Sequence, residues 1–148
     1  MNIYVMSQDM VEKYSREKQD VHTILISICS LHGGSQADVT PNKQNLIENV
    51  LFLRFDDDDN SRYGIQDSDV VKIREFLEEN IPKYNIHNII VNCEAGQSRS
   101  AGVAAALMYY FNQDDTPIYK CRKYTPNSRC YSRVLHHMMD YATVKEPE

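Results

Sequence analysis

No apolar run in this sequence approaches the roughly 20 residues needed to cross a hydrocarbon core, so no membrane span is expected. Positive charge is not in excess either. The formal balance is −5, which argues against a general nucleic-acid binder. The opening Met1-Asn2-Ile3-Tyr4 lacks the basic and apolar regions of a secretory signal, and the expected compartment is the cytoplasm. No Cys-x2-Cys pair occurs, and without an export signal Cys29, Cys93, Cys121 and Cys130 do not read as a disulfide framework. A zinc site drawn from Cys121, Cys130, His136 and His137 lacks the paired spacing of such sites, so neither metal nor cofactor is expected. Internal repeats and Gly/Ser linkers are missing as well. What remains is one domain over residues 1–148, long enough to bury roughly two-thirds of its unfolded surface without staples.

The informative stretch runs from Ile86 to Phe111. An apolar run, Ile86 to Val91, breaks into Asn92-Cys93-Glu94-Ala95-Gly96-Gln97-Ser98-Arg99-Ser100, and an Ala-rich run of high helix propensity follows from Ala101. Strand, tight loop and helix start are the elements in that order. If the loop curls around one point, the N–H groups from Glu94 to Arg99 converge where the helix dipole is positive. That is an anion cradle of about the size of a phosphate. Cys93 at the strand end faces those N–H groups, and a thiol in such a place falls from about 8.5 into the ~3.5–7.5 range. Arg99 supplies a planar fork for two phosphoryl oxygens. Gly96 turns the backbone without a Cβ, and the Ser100 hydroxyl is placed to donate to the Cys93 sulfur. The structural alternative is a buried cysteine beside a capped helix.

Cys93-Glu94-Ala95-Gly96-Gln97-Ser98-Arg99-Ser100 resembles the signature loop Cys-x-x-Gly-x-Ser-Arg-Ser of the cysteine-dependent phosphatases, in particular their small dual-specificity and tyrosine-phosphatase-like branch. The resemblance implies an α/β domain with a mainly parallel sheet of about 4–5 strands and helices on both faces. It also implies phosphomonoester hydrolysis through a cysteinyl-phosphate, with no metal. One position departs from the family: the residue before the nucleophile is usually His, and here it is Asn92. Asn also donates and accepts, so it is expected to support the loop, with a higher thiol pKa and slower turnover. The reaction requires an open sulfur; a buried one removes the enzymatic reading and leaves the fold.

Elsewhere the chain alternates strand-like and helix-like segments. Ile3 to Ser7 reads as a first strand and Gln8 to Lys18 as a helix. Val21 to Cys29 reads as a strand buried on both faces. Ser30 to Gln44, with Gly33, Gly34 and Pro41, reads as a loop in which His32 is solvated. Cys29 is the candidate for a protective disulfide with Cys93. Asn49 to Phe55 is a further strand, and it runs into Asp56-Asp57-Asp58-Asp59. By itself such a run is a solvated turn, a cation ligand or a source of a general acid. The resemblance places the acid in this loop and selects Asp57, with Asp56 and Asp58 as alternates, and crowding is expected to raise the pKa of at least one carboxyl.

The apolar spacing from Val70 to Ile81 predicts a helix from about Ser68 to Asn80, capped by Asp67 or Ser68 and ending before Pro82. A helix from Pro117 to about Lys123 and a last one through Tyr131 to Tyr141 complete the pattern. Pro126-Asn127 resembles a family turn whose Asn hydrogen-bonds near the catalytic loop; plain helix capping is the other account of Asn127. Lys120, Arg122, Lys123, Arg129 and Arg133 form a basic cluster that either meets an acidic substrate or is solvated. The tail from Thr143 to Glu148 is expected to fray.

No Lys or Arg lies between Cys93 and Arg99, which disfavours polyphosphorylated lipids. A phosphorylated protein or small phosphomonoester is the expected partner, with phosphotyrosine ahead of phosphoserine and phosphothreonine. The rival classes are a phosphopeptide-binding module without turnover, and a rhodanese-type sulfur carrier or arsenate reductase.

Overall fold

The computed structural model describes residues 1–141, Val144 and Glu146, which hold four strands and five helices in the order β-α-β-β-α-β-α-α-α. Strands β1 (Asn2–Ser7), β2 (Thr23–Cys29), β3 (Ile47–Arg54) and β4 (Asn88–Cys93) form one sheet in the order β1-β4-β2-β3, and every pair is parallel. The two central strands, β2 and β4, carry Thr-Ile-Leu-Ile-Ser-Ile-Cys and Asn-Ile-Ile-Val-Asn-Cys. Such near-continuous apolar runs are what a strand covered on both faces requires.

The helices are α1 (Gln8–Ser15), α2 (Asp67–Tyr84), α3 (Arg99–Asn112), α4 (Thr116–Tyr119) and α5 (Ser128–Tyr141). Ile24, Ile26, Ile28, Ile89, Val91 and Cys93 turn one sheet face into the large core shared with α2, α3 and α5. Leu25 and Ile90 turn the other face toward Val11 of α1, with Ala37 and Val39 from the β2–β3 connection. That connection has no helix and hangs on buried Asn45, whose amide reaches the Ser15 and Thr40 carbonyls at 2.9 Å each.

Helix α2 outruns its sequence pattern at both ends. Gln66, not Asp67 or Ser68, precedes it, and the Gln66 N–H donates to Asp69 Oδ2 at 2.8 Å. Pro82 lies inside the last turn rather than beyond it. A late proline removes one ladder bond. The loss is offset because the N–H groups of Asn85 and Ile86 both return to the Ile81 carbonyl, while Ile81 and Ile86 are fully buried. Helices α1 and α4 are shorter than expected: the chain leaves the helix at Arg16, and α4 is a single turn with Pro117 at its start.

The small residues of α3 have a structural reason. A Cβ on Gly102 meets the Asn127 carbonyl oxygen at 2.6 Å and Cys130 Cβ at 2.9 Å, so α3 and the start of α5 nearly touch. The fraying expected of the tail falls largely outside the described residues; of those described, buried Val144 accepts from the Tyr110 hydroxyl at 2.7 Å, and Glu146 pairs with the Met1 amine.

Gly102→Ala is expected to lose about 1–3 kcal/mol to overpacking despite alanine's better helix propensity. Urea denaturation of the two proteins measures it, and an equal or higher midpoint in the variant contradicts the close contact.

Candidate active site

The site lies at the carboxyl ends of the parallel strands, where such sheets hold ligands. Strand β4 ends at Cys93 and α3 begins at Arg99, so Glu94 to Ser98 form the loop. Gly96 sits at φ +66°, and a Cβ there meets Ser7 N at 2.6 Å and Met6 C at 2.7 Å. Both the conformation and the closeness to the end of β1 exclude a side chain. Among the described residues, none accepts a hydrogen bond from the backbone N–H groups of Glu94, Ala95, Gly96, Gln97, Ser98 or Arg99. With the start of α3 behind them, these N–H groups are free for an anion.

Cys93 Sγ stands 3.0 Å from Ser100 Oγ, both buried. The cysteine is 2 % exposed, which runs against the open sulfur the sequence reading required. By that requirement the burial weighs against turnover, while the unengaged loop N–H groups still offer an anion site.

Arg99 is 6 % exposed. Its Nη1 donates to the Phe55 carbonyl at 3.0 Å and to Ser30 Oγ at 3.0 Å. Its Nε is buried without a partner among the described residues. A buried guanidinium N–H left unsatisfied is costly, and an oxyanion in the cradle satisfies it. Ser30 in turn donates to Glu94 Oε1 at 2.9 Å. Sequence reasoning treated Ser30 only as the start of a loop. Its contact with Arg99 spans 69 positions, and the one available hint was its place just after a central strand of a parallel sheet.

The four consecutive carboxylates separate. Asp57 Oδ1 accepts from Ser98 Oγ at 2.7 Å and from Asn127 Nδ2 at 2.9 Å, so this acid is hooked directly onto the loop. Asp56 turns to His32 Nδ1 at 2.7 Å and to the Leu31 N–H at 2.8 Å. Asp58 Oδ1 accepts from the Asn60 N–H, and Asp59 from the Ser128 hydroxyl. Asp56 does not show the rise expected from crowding: its carboxyl is lowered, chiefly by the His32 hydrogen bond. His32 is therefore exposed yet engaged, its ring also edge-on to Tyr63 at 5.3 Å between centroids.

Asn127 does both things expected of it as alternatives. Its Oδ1 caps α5 by accepting from the Cys130 N–H at 2.8 Å, and its Nδ2 holds Asp57. Its own N–H reaches the Ser98 carbonyl at 3.0 Å. Asn92 is different. It is buried, and among the described residues its Oδ1 has no partner and its side chain makes no hydrogen bond to the loop. Ser27 stands opposite Asn92 in the β2–β4 register, so strand alternation sets Cys29 and Cys93 on opposite faces, and a bridge between them requires a strand end to move. Burial pushes the Cys29 thiol up. No group of three or more His, Cys, Asp or Glu among the described residues is placed to hold a metal ion.

The arrangement defines the fold of the tyrosine and dual-specificity phosphatases. Among solved structures it is similar to human DUSP28 (TM-score 0.61, 13 % identity, covering 95 % of this chain and 90 % of that one). It is also similar to the PTP-2 phosphatase of Cydia pomonella (0.59, 19 %, 92 % and 85 %). A third is the human tyrosine phosphatase-like serine/threonine/tyrosine-interacting protein (0.57, 17 %, 95 % and 93 %). No family model and no curated protein matches the chain.

His32→Ala is expected to return the Asp56 pKa toward the ordinary aspartate value, read by carboxyl NMR titration. A depressed folded-state pKa stabilises above the unfolded value of about 3.9 and is lost as pH falls through the folded one. The stability gap between the two proteins is therefore present at neutral pH and closes in acid; a gap that persists in acid assigns it to the Tyr63 contact instead.

Proposed function

We propose that this chain hydrolyses phosphomonoesters, phosphotyrosine in proteins first among them, through a phosphocysteine. The observation that carries the reading is the buried, unpartnered Nε of Arg99 beside a loop whose N–H groups are all unengaged. A three-oxygen phosphoryl group meets both needs at once.

In the first step the Cys93 thiolate forms an S–P bond as the P–O bond to the alcohol or phenol breaks. The departing oxygen takes its electron pair and a proton from Asp57. Both anchors of Asp57 fall on Oδ1, so Oδ2 is the oxygen that carries the proton. In the second step water attacks phosphorus, its proton passes to Asp57, and the S–P bond breaks to return the thiolate. Ser100, 3.0 Å from Sγ, steadies the sulfur as it leaves. Arg99 and the loop N–H groups bear the equatorial charge, preorganised donors of the kind that dominate such reactions. Glu94, exposed on a loop without Lys or Arg, disfavours substrates carrying several phosphates.

A phosphate-binding module with little turnover is the second reading. The 2 % exposure of Cys93 and the unpartnered Asn92 Oδ1 favour it. The same experiment separates the two. On phosphotyrosine, Cys93→Ser is expected to abolish release of phosphate, and Asp57→Asn to lower kcat about 10²- to 10⁴-fold. The Asp57→Asn loss shrinks on p-nitrophenyl phosphate, whose leaving oxygen needs a proton less. Asp58→Asn and Asp59→Asn leave the rate nearly unchanged. Phosphotyrosine bound without release by the unmutated chain overturns the enzymatic reading in favour of the module.

A further inference from the structure

The guanidinium of Arg99 has to present two adjacent N–H groups to a phosphoryl group with little freedom to rotate. Two groups hold it through one nitrogen, and a third acts through one of them. Nη1 is shared between the Phe55 carbonyl and Ser30 Oγ, each at 3.0 Å, and the Ser30 hydroxyl proton is drawn to Glu94 Oε1 at 2.9 Å. A serine hydroxyl is a rotor with one proton and two lone pairs. Once the proton points at Glu94, a lone pair faces Arg99. The direction of this relay is fixed by charge: a guanidinium only donates and a carboxylate only accepts.

Resting on the phosphatase reading of the loop, we propose that Ser30 is a positioning residue for Arg99, with Glu94 setting the direction of its hydroxyl. Engagement of Nη1 by Ser30 and Phe55 turns the Nε edge of the fork toward the cradle, where Nε has no other partner. Gly34 belongs to the same device. A Cβ there meets Glu94 Oε1 at 2.6 Å and Ser30 N at 2.8 Å, so only glycine lets the carboxylate settle against Ser30. The Arg54 guanidinium steadies the turn from below, donating to the Ser30 carbonyl at 3.0 Å and the Gly34 carbonyl at 3.3 Å.

The test compares the unmutated protein with Ser30→Ala and Ser30→Thr, using phosphotyrosine hydrolysis, orthovanadate affinity by calorimetry, and the Arg99 Nε–H NMR resonance. A hydrogen bond to a charged group corresponds to a loss of roughly 10- to 100-fold. Ser30→Ala is expected to lose that much in kcat, with a smaller rise in KM, because a correctly oriented planar fork matches the equatorial oxygens best when they flatten in the transition state. Its orthovanadate affinity falls and its Nε–H resonance broadens, while the thermal midpoint holds. Ser30→Thr, which keeps the hydroxyl, retains most of both. An unchanged kcat and orthovanadate affinity in Ser30→Ala overturns the proposal, as do equal losses in both variants when their thermal midpoints match the unmutated protein. If the unmutated chain binds orthovanadate but releases no phosphate, the phosphatase reading falls and the role of Ser30 is decided by orthovanadate affinity alone. No orthovanadate binding by the unmutated chain overturns both.

Discussion

One guanidinium joins the parts of this molecule that chemistry needs together. Arg99 stands at the first position of α3, yet its side chain is tied to the segment after β2 through Ser30 and to the segment after β3 through the Phe55 carbonyl. Three strand ends, those of β2, β3 and β4, thus meet on one buried cation. A buried charge survives only with partners, and here they come from segments far apart in the chain. The geometry leaves one guanidinium edge unsatisfied, so the fold tolerates a local deficit that an anion fills.

The loop after β3 is joined to the loop after β4 by a second set of contacts. Ser98 and Asn127 both donate to Asp57, and the Asn127 N–H also reaches the Ser98 carbonyl. Separation of the four aspartates into different hydrogen-bonding environments matters more than their number. Sequence adjacency makes them look equivalent; distinct hydrogen-bond partners make them different.

Much of this was legible because it is local. The apolar runs of β2 and β4, the small residues of the loop and the Ala-rich start of α3 each carry their own periodicity or propensity, so strand, loop and helix could be placed from the chain alone. The selection of Asp57 and Asn127 came from resemblance rather than pattern. Pro82 marks a helix end by local propensity, whereas burial of Ile81 and Ile86 carries α2 through it. Ser30 was invisible for a different reason: its partner is 69 positions away, and no periodicity records a contact between two loops. Asn92 was expected to stand in for a histidine, but an amide on that strand face ends without a partner for its oxygen.

The double duty of Asn127 ties the beginning of the last helix to Asp57. Its carbonyl oxygen holds the first turn of α5 and its amide holds Asp57, so the helix acts as the far wall of a vice whose near wall is the Cys93 loop. A fragment ending after α3 keeps the whole Cys-x5-Arg motif and half the vice. It retains the loop sequence while losing the contact that tells Asp57 where to stand, and in such a chain the motif and its surroundings part company.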